Sequence, residues 1–98
     1  MSFTLYILQC ADGTLYIGHT DDMITRMQQH DLGQGSRYTA TRRPLGLLHS
    51  EEFESRFEAL RMERKLKGWS RAKKFAYVRG DWAAIKELAK RAQKKQGS

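Results

Sequence analysis

The alternation of apolar and polar positions predicts a β-hairpin near the start of the chain. Residues 3–8 and 15–18 are rich in aromatic, β-branched and aliphatic side chains, and an Asp-Gly pair lies between them. Asp-Gly is a strong turn signal because both residues tolerate positive φ. Since successive side chains of a strand point to opposite faces, Tyr6 and Tyr16 are predicted to lie on the same face of the hairpin.

Helical spacing of apolar residues dominates the rest of the chain. Residues typical of helix ends bound four predicted helices, and a further short strand follows Pro44. The helices are predicted over residues 21–32, 55–67, 70–79 and 82–94, and the strand over residues 45–49. This order of elements predicts a small α/β domain whose sheet is built on the hairpin.

The same period predicts which helical side chains face the core. About 100° of rotation per residue gathers the apolar side chains of three helices into arcs. These arcs consist of Met23, Ile24 and Met27, then Phe57, Ala59, Leu60, Met62 and Leu66, and finally Trp82, Ile85, Leu88 and Ala92.

Length and composition favour one domain over residues 1–98. The chain has 98 residues, of which 40% are hydrophobic and 30% charged, and this suits a single modest core. We expect a cytoplasmic protein without membrane contact, because no apolar run could span a bilayer and no secretory signal is present. Cys10 is the single cysteine, so the chain forms neither an internal disulfide nor a thiolate zinc site.

Positive charge is concentrated in the last third of the chain. The net charge is +7, but residues 64–98 hold 12 basic and two acidic side chains, whereas residues 1–63 hold six basic and nine acidic ones. Arg37, Arg42 and Arg43 form a local basic stretch that contains no acid. This distribution favours an anionic partner, with nucleic acid as the first candidate, although a solvated helix face explains the basic third equally well.

Glu63 is the most informative single residue. It projects near the middle of the apolar arc of the second predicted helix, where a carboxylate is costly unless it is paired or binds a metal. One interpretation is a salt bridge to Arg56 or Arg26. The other is a single carboxylate ligand for Mg²⁺, which prefers few protein ligands and keeps its waters.

Two further pairs complete a candidate site. Tyr6 and Tyr16 share a strand face, and Arg26 and His30 lie one turn apart on the first predicted helix. Each of these residues alone is typical of ordinary packing or of a surface. Together with Glu63 they supply a base, an electrostatic clamp and a metal ligand, which phosphodiester hydrolysis requires.

The ordered motifs resemble the GIY-YIG nucleases, especially their small stand-alone bacterial subgroup. Thr4-Leu5-Tyr6 matches the first motif half, and Tyr16-Ile17-Gly18 matches the second. Arg26 and His30 follow Tyr16 at the family spacing, and Glu63 falls in the helix that carries the metal-binding glutamate. The segments at 33–39, 42–44, 50–53 and 67–74 resemble the subgroup, so the resemblance covers about residues 3–79.

The resemblance implies an α+β fold, with a three-stranded antiparallel sheet flanked by helices and an extra basic C-terminal helix at about 81–95. It also implies one-metal hydrolysis of DNA with Mg²⁺ or Mn²⁺. Tyr16 would be the base or would orient water, Tyr6 would assist it, Arg26 would clamp the phosphate, His30 would relay protons and Glu63 would hold the metal. DNA contacts would come from Gly18, Arg37, Arg42, Arg43, Lys67, Arg71, Lys73 and Lys74.

Two departures from the family pattern keep other functions open. Thr4 replaces the leading glycine of the first motif half, and the chain contains no asparagine, which many members carry downstream of the glutamate. The alternative function is a non-catalytic nucleic-acid-binding module on a nuclease-like fold. A third hypothesis is a scaffold that binds a protein through the last helix, although we expect no obligate protein partner.

Overall fold

The computed structural model describes residues 2–96, and it describes side chains through Lys90. The chain divides into two compact units, Met1–Lys67 and Gly68–Ser98. The expectation of a single domain over residues 1–98 stays a prediction. Within residues 2–96, none of the helices combines the length and apolar content that crossing a membrane would require.

The first unit contains a three-stranded antiparallel sheet, as the resemblance implies. Its strands are β1 (Phe3–Gln9), β2 (Leu15–Thr20) and β3 (Gly46–Phe53), and they lie in the order β2-β1-β3. The β1–β2 connection closes with a hydrogen bond from Cys10 N to Thr14 O at 2.8 Å. β3 extends four residues beyond its predicted end at residue 49, because its polar residues continue the ladder with β1.

Three helices accompany this sheet. They are α1 (Met23–Asp31), α2 (Arg37–Ala40) and α3 (Arg56–Lys67). α1 begins two residues later than predicted because Asp22 is its N-cap, and the Asp22 carboxylate accepts a hydrogen bond from Thr25 N at 3.1 Å. The sequence analysis did not predict α2, which is a single turn.

The second unit contains α4 (Arg71–Arg79) and α5 (Trp82–Gln96). The caps are those that the sequence predicts: Ser70 Oγ accepts from Lys73 N at 3.2 Å, and Asp81 Oδ1 accepts from Ala84 N at 3.0 Å. Gly80 ends α4 in the left-handed conformation, with φ at 71°. Tyr77 is buried and meets the rings of Trp69 and Trp82 edge to face.

The core of the first unit is centred on β1, where residues 5–8 are all buried. Helices cover both faces of this central strand, since α3 packs on the sheet and His30 of α1 packs against Tyr6, so the usual inward and outward alternation disappears. α3 packs on the sheet through a stripe with helical spacing, formed by Ala59, Glu63 and Leu66.

Three residues of the predicted apolar arcs do not face the core. Ile24, Phe57 and Trp82 are 76%, 71% and 56% exposed, so their predicted inward orientation is wrong. Phe57 lies on the same side of α3 as Arg61 and Arg64, one and two turns later, and water solvates that side. Ile85 is buried as predicted, whereas the side chain of Ala92 lies outside the described residues.

Candidate active site

Two tyrosines and a histidine form an aromatic cluster on one face of the sheet. Tyr6 on β1 and Tyr16 on β2 share that face as predicted, with ring centroids 6.3 Å apart. His30, in the last turn of α1, meets both rings edge to face, at 5.5 Å from Tyr6 and 5.3 Å from Tyr16. Tyr38 of α2 stacks on the Tyr16 ring at 6.2 Å.

His30 is a core residue, although the predicted apolar arc of its helix does not include it. Its ring is only 1% exposed, and both ring nitrogens are hydrogen-bonded. Nε2 lies 2.9 Å from the Tyr6 hydroxyl, and Nδ1 lies 3.0 Å from Thr39 Oγ1. Burial, and then the nearby positive charge of Arg26, lower the pKa of His30, so the imidazole is neutral at pH 7.

Thr39 and Ser36 extend this hydrogen-bonded chain, and the sequence analysis missed both roles. Thr39 is fully buried, and its hydroxyl oxygen lies 2.9 Å from Ser36 Oγ. Ser36 is also the N-cap of α2, because its hydroxyl accepts from Thr39 N at 3.1 Å. Serine is a preferred N-cap residue, and that signal was available in the sequence.

Two glycines make room for the rings of the cluster. A Cβ on Gly18, which lies opposite Tyr6 in the β1–β2 register, would come within 2.6 Å of the Tyr6 hydroxyl oxygen. A Cβ on Gly35 would overlap the His30 ring, including Nδ1. Gly18 is buried, so the close approach it permits in this structure is that of the Tyr6 ring; a contact between Gly18 and DNA stays a prediction.

Arg26 brings a positive charge to the cluster without an opposite charge beside it. It is half-buried on α1, one turn before His30. Within residues 2–90, its guanidinium makes no hydrogen bond or ion pair. Burial chiefly raises the pKa of Tyr6, the nearby Tyr16 and Glu63 raise it further, and Arg26 lowers it. The charge of Arg26 therefore reaches both the Tyr6 and the His30 rings.

Glu63 is buried on the inner face of α3, as predicted, but its partners differ from those expected. Oε1 lies 3.1 Å from His19 Nδ1, and Oε2 lies 3.5 Å from Lys67 Nζ. Neither Arg26 nor Arg56 pairs with Glu63, and Arg56 instead lies 3.8 Å from Asp21. The sequence analysis missed His19, which is 44 residues away in the chain and reaches Glu63 only because α3 packs on β2.

The donor set around Glu63 fits a metal ion held by a single carboxylate. Within the part of the chain that the structure describes, no three His, Cys, Asp or Glu side chains gather as a metal cluster. Mg²⁺ needs no such cluster, because it keeps several waters and takes one or two carboxylates. Lys67 places a cation at the carboxylate already, and its side chain is 56% exposed and so able to move aside.

The residues predicted to contact DNA fall into three groups. Arg37 is exposed on α2. Arg42 pairs with Asp12 at 3.1 Å and lies over the Tyr38 ring, while Arg43 donates to the carbonyls of Ala40 and Asp31. Arg71, Lys73 and Lys74 belong to α4 in the second unit, where Arg71 and Lys73 lie over the rings of Phe75 and Trp69.

Comparison with known proteins agrees with this fold. A solution NMR structure of a UPF0213 protein from Bacillus halodurans superposes with a TM-score of 0.54 at 41% identity, covering 80% of this chain and 83% of that one. A solution NMR structure of a protein from E. faecalis gives a TM-score of 0.61 at 38% identity, covering 82% and 85%. Both similarities match the three-stranded α+β architecture.

Sequence comparison identifies the family. A UPF0213 protein of Bacillus pumilus is 44% identical over 73 residues, which is 74% of each chain. A UPF0213 protein of Staphylococcus aureus is 40% identical over 78 residues, which is 80% of this chain and 95% of that one. The family model of the GIY-YIG catalytic domain matches residues 2–76, a range that includes the tyrosine pair, Arg26, His30 and Glu63. The chain therefore belongs to the GIY-YIG nuclease family.

Proposed function

We propose that this protein is a metal-dependent DNA endonuclease that hydrolyses phosphodiester bonds with one divalent ion. The observation that carries the proposal is the half-buried guanidinium of Arg26, which lies beside the Tyr6–His30 cluster without a counter-charge in residues 2–90. A site that holds an unpaired cation next to hydroxyl groups favours an anionic ligand. A phosphate group has the charge and the acceptor oxygens that a guanidinium binds in a bidentate manner.

Arg26 acts as the phosphate clamp in this proposal. Negative charge accumulates on the phosphate oxygens as the attacking oxygen approaches phosphorus. A cation that is already in position stabilises this charge without reorganisation, and such groups typically contribute about 10²–10³-fold in rate.

The two tyrosines have different roles because their surroundings differ. Tyr6 is 2% exposed, its hydroxyl is hydrogen-bonded to His30, and its pKa is raised. Tyr16 is more exposed, and no hydrogen bond within residues 2–90 engages its hydroxyl. Tyr16 is therefore the group that orients or deprotonates the attacking water, whereas Tyr6 and His30 form the buried hydrogen-bonded pair beside it.

Glu63 is the metal ligand in this proposal, and Lys67 and His19 are its partners before the ion binds. A divalent ion such as Mg²⁺ or Mn²⁺ supplies Lewis-acid stabilisation of phosphoryl oxygens. Glu63 provides one carboxylate for it, and the negative charge of Glu63 contributes to the raised pKa of Tyr6.

Basic side chains would retain the DNA backbone. Arg37 and Lys67 are exposed in the first unit, and Arg71, Lys73 and Lys74 add positive charge in the second. Arg42 and Arg43 would contribute less directly, because their guanidinium groups already bind protein atoms. Phosphate contacts release counterions, so DNA affinity should fall steeply with salt.

The test is cleavage of labelled single- and double-stranded DNA by the purified protein with Mg²⁺ or Mn²⁺. Glu63→Gln should abolish metal-dependent cleavage because it removes the charged ligand, and Tyr16→Phe should reduce it strongly because it removes the hydroxyl. Both variants keep the size of the side chain they replace. Equal cleavage by the wild type and both variants would assign the activity to a contaminating nuclease and reject the proposal.

A second candidate function is nucleic-acid binding without cleavage. Both oxygens of Glu63 are engaged by cationic or hydrogen-bonding partners, and the sequence contains no asparagine. This alternative predicts salt-sensitive DNA binding and no product with any divalent metal. The same cleavage assay, combined with a binding titration at two salt concentrations, separates the two functions.

A further inference from the structure

The hydrogen bonds of His30 restrict where its proton lies. A neutral imidazole has one N–H donor and one acceptor nitrogen, and both nitrogens of this buried ring have a hydroxyl partner. Gly35 packs against the ring so closely that a Cβ there would overlap it, and a half-turn flip of the ring would put carbon atoms where the two nitrogens now make their hydrogen bonds. Two tautomers therefore remain, with the proton on Nδ1 or on Nε2.

The hydrogen bond between Tyr6 and His30 Nε2 distinguishes the two tautomers. Within residues 2–90, His30 Nε2 is the hydrogen-bond partner of the Tyr6 hydroxyl. If Nε2 carried the proton, it would donate to the Tyr6 oxygen, and the buried Tyr6 hydroxyl hydrogen would have no acceptor. If Nδ1 carries it, Tyr6 donates to Nε2 and no donor is left unpaired.

The Nδ1–H tautomer needs an acceptor at the other end of the ring, and Thr39 provides it. Thr39 Oγ1 lies 3.0 Å from Nδ1. The Thr39 hydroxyl can in turn donate a hydrogen bond to Ser36 Oγ at 2.9 Å or to the Ser36 carbonyl oxygen at 3.4 Å. Each donor in the series Tyr6, His30, Thr39 then has an acceptor. Thr39 is fully buried, so no bulk water replaces its hydroxyl.

We propose that Thr39 is a positioning residue that accepts the Nδ1–H of His30 and so keeps His30 Nε2 as the acceptor of the Tyr6 hydroxyl. The direction of these two hydrogen bonds, from Tyr6 to His30 and from His30 to Thr39, has a consequence for the site. With its hydrogen directed to His30, Tyr6 presents only oxygen lone pairs to any neighbouring group, and it accepts rather than donates. This last consequence for cleavage rests on the proposed function, whereas the tautomer does not.

The primary test is ¹⁵N NMR of the imidazole nitrogens in the full-length protein at pH 7. In the wild type, Nδ1 of His30 should give a protonated-type shift and Nε2 an unprotonated-type shift. Thr39→Val is nearly isosteric but removes the acceptor, so either tautomer then leaves one buried donor unpaired, and the Nδ1–H population should fall from nearly complete to a mixture of the two tautomers. Thr39→Ser restores a hydroxyl and should restore the wild-type signature.

Tyr6→Phe is the matched control, because it removes the hydroxyl at the opposite end of the ring. It leaves the Nδ1–H···Thr39 hydrogen bond intact, so the Nδ1–H tautomer should persist. The proposal is overturned by an Nε2–H tautomer in the wild type, by an Nδ1–H population in Thr39→Val that is unchanged from the wild type, or by loss of Nδ1–H in Tyr6→Phe. If Thr39→Val does not fold, the wild type, Thr39→Ser and Tyr6→Phe signatures still decide the outcome.

Cleavage rates provide a second, separate readout. Thr39→Val should lower kcat by about tenfold to a hundredfold with little change in KM, since a shifted catalytic group costs about this much. Thr39→Ser should recover most of the loss. Absence of cleavage by the wild type would reject the proposed endonuclease while leaving the NMR result, and hence the role of Thr39 toward His30, intact.

Discussion

The two sides of the candidate site are built on different physical principles. On the Tyr6–His30 side, neutral groups are buried and joined by hydrogen bonds of 2.9 to 3.0 Å that continue to Ser36. On the Arg26–Glu63 side, the groups are charged, Arg26 has no partner within residues 2–90, and Glu63 contacts a lysine that is 56% exposed.

This difference separates a part of the site that is complete from a part that is ready for a ligand. A closed series of neutral hydrogen bonds is satisfied by the protein itself and gains nothing from an anion or a metal. Unpaired or exchangeable charges are stabilised by binding a phosphate and a divalent ion. Substitutions on the charged side should therefore affect catalysis directly, and those on the neutral side should affect folding and proton position and, through these, catalysis.

Among the tests of this comparison, the largest effect is expected from Arg26→Gln. Cleavage should fall about 10²–10³-fold, because the clamp on the developing charge is lost. The free energy of unfolding should not fall, because the wild-type guanidinium makes no hydrogen bond or ion pair within residues 2–90. Cleavage rates and thermal unfolding measure the two quantities. Arg61→Gln, an exposed site on α3, is the control with the same change in charge, and an equal loss of cleavage there would contradict the clamp.

An intermediate effect is expected from pH on the neutral side. Burial lowers the pKa of folded His30 below its usual value, so the unfolded chain binds a proton that the folded protein does not. The free energy of unfolding should therefore decrease as pH falls below the unfolded pKa near 6.5, by up to about 1.4 kcal/mol per pH unit, until the folded pKa is reached.

Urea unfolding at pH 7 and pH 5.5 tests this dependence. His30→Gln removes the titrating group but leaves the other histidines and the carboxylates, so the difference in slope between the two proteins isolates His30. The same loss of stability between the two pH values in both proteins would show that His30 does not cause it.

The smallest effect is expected from Lys67→Gln. Removing the ammonium group beside Glu63 takes away a competitor for the carboxylate, so Mn²⁺ affinity should rise. Lys67 is 56% exposed although Glu63 is buried, and a pair with one solvated partner contributes about 0.2–1 kcal/mol, which corresponds to at most about a fivefold gain.

Calorimetric titration with Mn²⁺ in the absence of DNA measures this gain. Lys65→Gln changes the net charge equally on the same helix and serves as the matched control. If both variants gain the same affinity, overall charge rather than the local pair explains the effect.

Local signals in the sequence predicted most of the fold. The Asp-Gly turn, the caps Ser70 and Asp81, and the left-handed Gly80 depend on side chains within a few residues of each other, and all appear in the structure. α2 was missed because one helical turn is too short to show a hydrophobic period. Its N-cap, Ser36, was the only local indication of it.

Long-range packing accounts for what the sequence did not predict. The helical period correctly placed Glu63 on the inner face of α3. Its partner His19 comes from β2, and no local spacing in the sequence identifies this pair. The helical period also assigned Phe57 to the core because Phe57 is apolar. The sheet covers only the stripe that contains Ala59 and Leu66, so Phe57 is exposed. For His30, the hydrogen bond to Tyr6 joins residues 24 positions apart, and only the folded sheet and α1 bring them together.

The placement of Tyr6 on the central strand determines which parts of the site can adapt to a substrate. β1 is hydrogen-bonded to β2 and β3 along its length, so displacing the Tyr6 backbone would break both ladders together. Its amide hydrogen should exchange with solvent only when the whole sheet opens, at close to the free energy of global unfolding. Tyr6 and the His30 ring that it contacts form the fixed reference of the site, and in the proposed nuclease any adjustment to a DNA strand would come from exposed side chains such as Lys67 and Arg37.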